Sequence, residues 1–221
     1  MNRSGRLRYL RRRATDRQWI GWVESSPHIG SQYLMALTPS TMKELGSPAP
    51  DFALPEPAKG NAVVRLSDFA DAPALLVVFL CNHCPYVKHI AEGLAALARD
   101  AQARGVAVVG INANDPVSHP DDAPERMVEE VAARGYTFPY LFDATQEVAR
   151  AYEAACTPDF FLYDRDRKLV YRGQMDDSRP GNGKPVTGAD LRAAIDAVLE
   201  GRPVSPHQVP SVGCNIKWRT S

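Results

Sequence analysis

The sequence predicts an α/β protein with a central mixed β-sheet flanked by helices on both faces. Three observations carry this. Residues 74–80 and 106–111 form two short runs that are apolar throughout, as strands covered on both faces are. Between them, Val87, Ile90, Leu94 and Leu97 recur at three- and four-residue spacing, the period of a helix with one buried stripe. Further on, residues 160–163 and 168–173 flank the turn Asp164-Arg165-Asp166, a hairpin pattern that adds an antiparallel edge. Strands alternating with helices put the helices over the sheet.

The elements follow in order. Residues 47–52, Ser-Pro-Ala-Pro-Asp-Phe, are proline-rich and extended, and end in an apolar anchor. Residues 63–66 alternate weakly and predict a short edge strand, after which Ser67 and Asp68 cap a single turn. Asp71-Ala72-Pro73 breaks the chain before strand 74–80. Pro85 suits the first turn of a helix, where its missing N–H has no partner anyway. That helix runs to about Arg104, and Gly105 stops it. Strand 106–111 leads into a loop, 112–123, rich in Asn, Asp and Pro. Residues 124–134 are a helix closed by Gly135, residues 136–142 enter another strand, and 146–155 form a short helix. After the hairpin comes a Gly/Pro/Asp-rich loop, 176–186. Thr187 caps a last helix reaching about Glu200, with Leu191, Ile195 and Val198 on one face. A proline-rich tail starts at Gly201 and ends in Gly213-Cys214-Asn215-Ile216-Lys217-Trp218.

With 221 residues the chain can build one substantial core. Hydrophobic residues at 44% and charged residues at 24% fit an ordinary globular enzyme. A formal net charge of zero gives no reason to expect a nucleic-acid partner. No apolar run approaches the roughly 18 residues that would span a membrane, so no membrane partner is expected. The N-terminus differs in composition. Residues 1–34 carry seven arginines against Asp16 and Glu24, and no secretory signal pattern follows them. This extension is read as disordered, as an artefact of start-codon choice with Met35 the true start, or as a targeting or nucleic-acid-binding arm. All three put residues 1–34 outside the fold and residues 35–221 in one domain with a C-terminal tail.

Four cysteines, Cys81, Cys84, Cys156 and Cys214, are too few and too scattered for a disulfide scaffold of this length. Cys81-Asn82-His83-Cys84 lies between a buried strand and a helix start. A helix N-terminus offers unpaired N–H groups and the positive end of the dipole. A thiolate there is stabilised, and the cysteine pKa falls into roughly the 3.5–7.5 range. Two intervening residues let the sulfurs reach disulfide geometry. His83 could add positive charge and make the disulfide more oxidising. A structural zinc site would want a second knuckle, and Cys156 and Cys214 have no local partners, so no metal is expected. Covalent haem would need His where Pro85 stands. Thr157-Pro158, just before strand 160–163, is either a cis bond or a helix-ending proline.

These residues together resemble a known family. The Ala49-Pro50-Asp51-Phe52 opening, Leu66-Ser67-Asp68-Phe69, Cys-Asn-His-Cys-Pro-Tyr-Val at 81–87, Cys156-Thr157-Pro158-Asp159-Phe160-Phe161 and Gly213-Cys214-Asn215-Ile216-Lys217-Trp218 resemble the peroxiredoxin-like thioredoxin family proteins of the AhpC/TSA (redoxin) superfamily. The match runs from about Met35 to Trp218, and Met35-Ala36-Leu37-Thr38-Pro39-Ser40 resembles a usual family start. The resemblance implies a thioredoxin-like fold. It makes Thr157-Pro158 a cis-proline loop facing the pair, which helps to dock substrate disulfides. It makes Cys81 the exposed attacker and Cys84 the thiol that resolves the mixed disulfide. One departure matters: a peroxidase Pro-x-x-x-Thr-x-x-Cys motif laid on Cys84 would need proline at 77 and threonine at 81, where this chain has Val77 and Cys81. Cys84-Pro85 still matches the peroxidatic Cys-Pro step.

The expected function is therefore thiol–disulfide exchange at Cys81 and Cys84, with no cofactor. The partners would be a protein or small-thiol disulfide and a thiol electron donor, in the cytoplasm. Thiol-dependent peroxide reduction and a non-catalytic redox sensor are the alternatives. Cys156 is a small buried residue or an extra resolving thiol. Cys214 is a core or docking residue or a redox partner. His89, Lys88 and Arg172 read as surface residues.

Overall fold

The computed structural model describes residues 37–220. The reading of residues 1–34 lies outside the described residues. Five strands form the main sheet: β4 (Leu75–Phe79), β5 (Ala107–Asn112), β6 (Tyr140–Phe142), β8 (Asp159–Tyr163) and β9 (Leu169–Gly173), in the order β6-β5-β4-β8-β9. β4 pairs parallel with β5, and β5 with β6, while β4–β8 and β8–β9 are antiparallel. The mixed sheet of the sequence reading is present, with the hairpin at its edge.

β4 explains why the apolar run has no gap. Leu76, Val78 and Leu80 join one core cluster, and Leu75, Val77 and Phe79 join another on the opposite face. A strand alternates its side chains between two faces, so both faces of β4 are dry. Helix α1 (Pro85–Ala103) covers one face through Val87, Ile90, Leu94 and Leu97. α4 (Ala189–Leu199) adds Leu191 and Ile195 to that layer. On the opposite face, α3 (Glu147–Tyr152) brings Tyr152 against Phe79 and Phe161. α2 (Pro124–Arg134) ends at Gly135, whose φ of +64° is the left-handed conformation that closes a helix. α4 starts one residue later than expected: Gly188 is the cap residue, and the Thr187 hydroxyl accepts the Ala189 N–H instead. Among the described residues, no helix is long and apolar enough to cross a membrane.

Two small sheets accompany the main one, and the first contains the short strand expected at residues 63–66. β2 (Ala53–Glu56) pairs antiparallel with β3 (Ala62–Arg65). The second sheet orders β1 (Leu37–Pro39), β10 (Val212–Asn215) and β7 (Cys156–Thr157), all antiparallel. The expected tail is thus the middle strand of a sheet. Its register sets Cys214 opposite Thr157 and Asn215 opposite Cys156. Gly213 makes this approach possible, because a Cβ there would overlap the carbonyl of Thr157.

Gly213→Ala should therefore push β10 off the Thr157-Pro158 loop. Overpacking against backbone costs about 1–3 kcal/mol, and denaturant unfolding should show a loss of that size. A stability equal to the wild type would mean that the close approach is not needed.

Candidate active site

The N-terminus of α1 carries the site. Cys84 is its cap residue and Pro85 its first residue, as the missing proline N–H favours. β4 delivers Cys81 to the sheet's C-terminal edge. The parallel neighbour β5 releases its following loop at the same edge, so residues 112–122 stand beside the cysteine pair. β7 and the Thr157–Pro158 peptide, which is cis, face the pair from the other side.

All four cysteines are free thiols and buried. The Sγ of Cys81 lies 3.1 Å from the Thr157 hydroxyl. Cys84, as a thiol, donates to the Thr157 carbonyl at 3.2 Å. Its Sγ is also only 2.8 Å from the Sγ of Cys214. Cys156 differs, because its S–H points to the Pro158 carbonyl at 3.6 Å.

These contacts decide where a negative charge settles. The Cys214 thiol, 2.8 Å away, lowers Cys84 most and the Cys81 thiol next; burial opposes ionisation, and the N–H groups of Val87 and Cys214 support it. The Cys84 thiol is held far below its ordinary value, down to about 2. Cys81 is pushed well up, by burial first, by donating its proton to Cys84, and by the nearby charge of Asp122; the Thr157 hydroxyl works the other way. Cys214 rises because it donates to Cys84 and because it is buried. Cys156 rises through burial and the neighbouring Asp159. The expectation that Cys81 is exposed needs correction. Cys81 is 1% exposed, and the stabilised thiolate is Cys84, since the helix terminus and both neighbouring thiols favour charge on the cap residue.

His83 is half-buried, and its Nδ1 lies 2.6 Å from Oδ2 of Asp122. Asp122 is fully buried and also accepts the Asn82 N–H at 2.7 Å and the Asn114 side-chain amide at 2.7 Å. Burial works to raise its pKa, but the hydrogen bonds from His83, Asn114 and Asn82 bring it below the usual carboxylate value. Tyr140 donates its hydroxyl to the Asn82 side chain at 3.0 Å. His119 stacks on His83 with ring centroids 4.9 Å apart. The charge that His83 was expected to lend the thiolate is thus matched by a buried carboxylate.

Donor atoms of Cys81, His83 and Asp122 lie within 4.8 Å of one another and could hold a metal ion. A metal there would have to displace the 2.6 Å His83–Asp122 contact or share its atoms.

Several residues sit elsewhere than the sequence predicts. His89 is half-buried and bonded to the Ser178 hydroxyl at 2.8 Å rather than solvated. Arg172 is also half-buried, donating to the Gln208 side chain at 2.9 Å. Pro85 and Lys88 are exposed. Pro158 is buried and lines a narrow cleft of about 20 Å³ with Tyr86, His89, Ile90, Met175 and Arg179. Asp122, Asn114 and His119 belong to the site, although the sequence marks them only as loop. A signal for them exists: in open α/β sheets, functional groups gather in the loops beyond the carboxyl ends of the strands.

The fold and this site define a thioredoxin-like protein of the redoxin class. The fold is shared with a putative thioredoxin of Neisseria meningitidis, 21% identical with a TM-score of 0.54, over 72% of this chain and 94% of that one. The model of the AhpC/TSA family matches residues 45–172, and the chain belongs to that family. A hypothetical protein of Sinorhizobium meliloti 1021 is 58% identical, with a TM-score of 0.81, over 83% of this chain and 100% of its own. The thiol-disulfide oxidoreductase ResA of Geobacillus kaustophilus is 29% identical over 146 residues, 65% of this chain and 78% of the relative.

Two measurements test the electrostatics. Thiolate absorbance near 240 nm should show one thiolate per molecule well below pH 6 in the reduced protein. Cys214→Ala removes an S–H donor to a charged sulfur, worth about 1.5–3 kcal/mol, so the midpoint should rise by about 1–2 pH units. A titration overlaying the wild type would contradict this assignment. Burial raises Asp159 to about 7. Between pH ~4 and 7 the folded protein then holds a proton that the unfolded chain has lost. Stability from this group is fully present below pH ~4 and is lost as pH rises through about 7. Asp159→Asn should flatten stability over that window by a few kcal/mol, read by denaturant unfolding at pH 4.5 and 7.5.

Proposed function

We propose that this protein catalyses thiol–disulfide exchange through Cys81 and Cys84. The observation that carries the reading is the placement of the two thiols at the start of α1, with Cys84 as its cap residue and the Thr157 hydroxyl 3.1 Å from the Cys81 sulfur. Cys84 is held well below its ordinary value and Cys81 well above, so at rest Cys84 carries the charge and Cys81 the proton. Passing that proton to Cys84 leaves a thiolate at Cys81, steadied by the Thr157 hydroxyl 3.1 Å away. Cys81 attacks one sulfur of a substrate disulfide, and the other leaves as a thiolate that takes up a proton. Cys84, ionised again, attacks Cys81 in the mixed disulfide. The Cys81–Cys84 bond forms, and the substrate departs as a dithiol. A thiol donor restores the pair by the reverse chemistry.

The cleft beside Pro158 suits the docking of a substrate segment. Its walls, Tyr86, Ile90 and Met175, offer apolar surface and must part to admit a side chain. Arg179 is fixed at the rim by the Gln174 side chain at 2.6 Å and by the carbonyls of Asp176 and Ser178 at 2.7 Å each. Cys81 is buried at rest, so a disulfide must be admitted by local movement of the covering side chains. The similarity to ResA supports a disulfide as the substrate class. The depressed Cys84 thiolate favours a second reading, attack on a small peroxide to give a sulfenic acid that condenses with a neighbouring thiol.

Reduction of insulin disulfides by a thiol donor should be accelerated by the wild type. Cys81→Ser and Cys84→Ser should each lower the rate at least 100-fold. Retention of the wild-type rate in both variants would remove the proposal. Stopped-flow mixing with hydrogen peroxide decides the second reading, which is lost if Cys84 reacts no faster than free cysteine.

A further inference from the structure

We propose that Cys214 is a third redox thiol, which takes over Cys84 from Cys81 and stores the oxidised state as a Cys84–Cys214 disulfide. This rests on thiol–disulfide exchange at Cys81 and Cys84 and adds a second bond to the same centre.

The geometry comes from the strand pairing. Cys214 sits in the middle strand of the β1-β10-β7 sheet, opposite Thr157. Gly213 lets β10 close on the Thr157 carbonyl, where no side chain would fit. The result is a Cys84–Cys214 sulfur separation of 2.8 Å, with both residues buried. A disulfide bond is about 2.05 Å long, so the two sulfurs need to close by roughly 0.8 Å. Cys156 provides the contrast: it is equally buried, yet its sulfur faces the Pro158 carbonyl.

The exchange needs no outside oxidant. Starting from the Cys81–Cys84 disulfide, Cys214 loses its proton and attacks the Sγ of Cys84. The Cys84–Cys214 bond forms as the Cys81–Cys84 bond breaks. The electron pair leaves on Cys81, which takes up the proton. The molecule stays oxidised by two electrons throughout. In the reduced protein Cys214 is a poor nucleophile chiefly because it donates to the Cys84 thiolate. Once Cys84 is in a disulfide, that restraint is gone; burial still opposes ionisation, and Lys217 favours it. The product keeps a free Cys81 thiol in an oxidised molecule.

Peptide mapping tests this. The full-length protein is equilibrated with glutathione disulfide, quenched in acid, alkylated and digested with trypsin. Cys81 and Cys84 share the peptide 66–88, and Cys214 lies in 193–217. A cross-link between these peptides is expected in a measurable fraction of the wild type. In Cys81→Ser that cross-link should become the main oxidised species, because any glutathione adduct on Cys84 is displaced by Cys214. In Cys81→Ser with Cys214→Ala the glutathione adduct should persist on Cys84. Absence of the cross-link from both the wild type and Cys81→Ser overturns the proposal, whether Cys81→Ser holds a stable adduct or stays reduced. Failure of the underlying function would look different, since the wild type would then form no bond within peptide 66–88.

Discussion

One negative charge shared among three buried sulfurs is the constraint on which the site depends. Cys84 receives the charge because it caps α1 and because the thiols of Cys214, 2.8 Å away, and of Cys81 lower its pKa. A buried thiolate is costly unless such donors surround it. The neighbouring thiols therefore act as solvent for Cys84, and their own acidity falls in exchange. The position of every supporting element follows from keeping these atoms together: β4 brings in Cys81, α1 fixes Cys84, and β10 holds Cys214.

A second layer of charge balances the first. Asp122 is an ionised carboxylate with no exposed surface, held by His83, Asn114 and the Asn82 amide. Its nearness raises Cys81, which keeps the outer thiol protonated while Cys84 is charged. The CxxC insert thus does more than space two sulfurs. Asn82 and His83 tie the motif to the loop after β5, and Tyr140 at β6 holds Asn82 from beneath. Two neighbouring parallel strands and the loops at their carboxyl ends build one polar network.

Much of this is legible in the sequence. The unbroken apolar runs locate β4 and β5, because strands covered on both sides have no polar alternation to lose. The 3.6-residue stripe locates α1, and proline after Cys84 marks its first turn. The short strands escape because their pairing is set by tertiary contact. Residues 212–215 look like a tail because Val-Gly-Cys-Asn has little β signal of its own; the partners Leu37–Pro39 and Cys156–Thr157 make it a strand. For the same reason the meeting of Cys84 and Cys214, 130 residues apart, has no local signature. The sequence does not tell which cysteine is the acidic one, because a helix dipole is visible in it, whereas burial and competing donors are not.

The most direct test of the shared charge is the pH dependence of the reduction potential of the Cys81–Cys84 disulfide. For a two-electron couple, each proton taken up on reduction contributes about 30 mV per pH unit. If Cys84 stays a thiolate and Cys81 a thiol, reduction takes up one proton, and the slope between pH 6 and 8 should be about 30 mV per pH unit. A slope near 59 mV per pH unit would mean that both thiols are protonated in the reduced protein, and the assignment of the charge to Cys84 would be wrong.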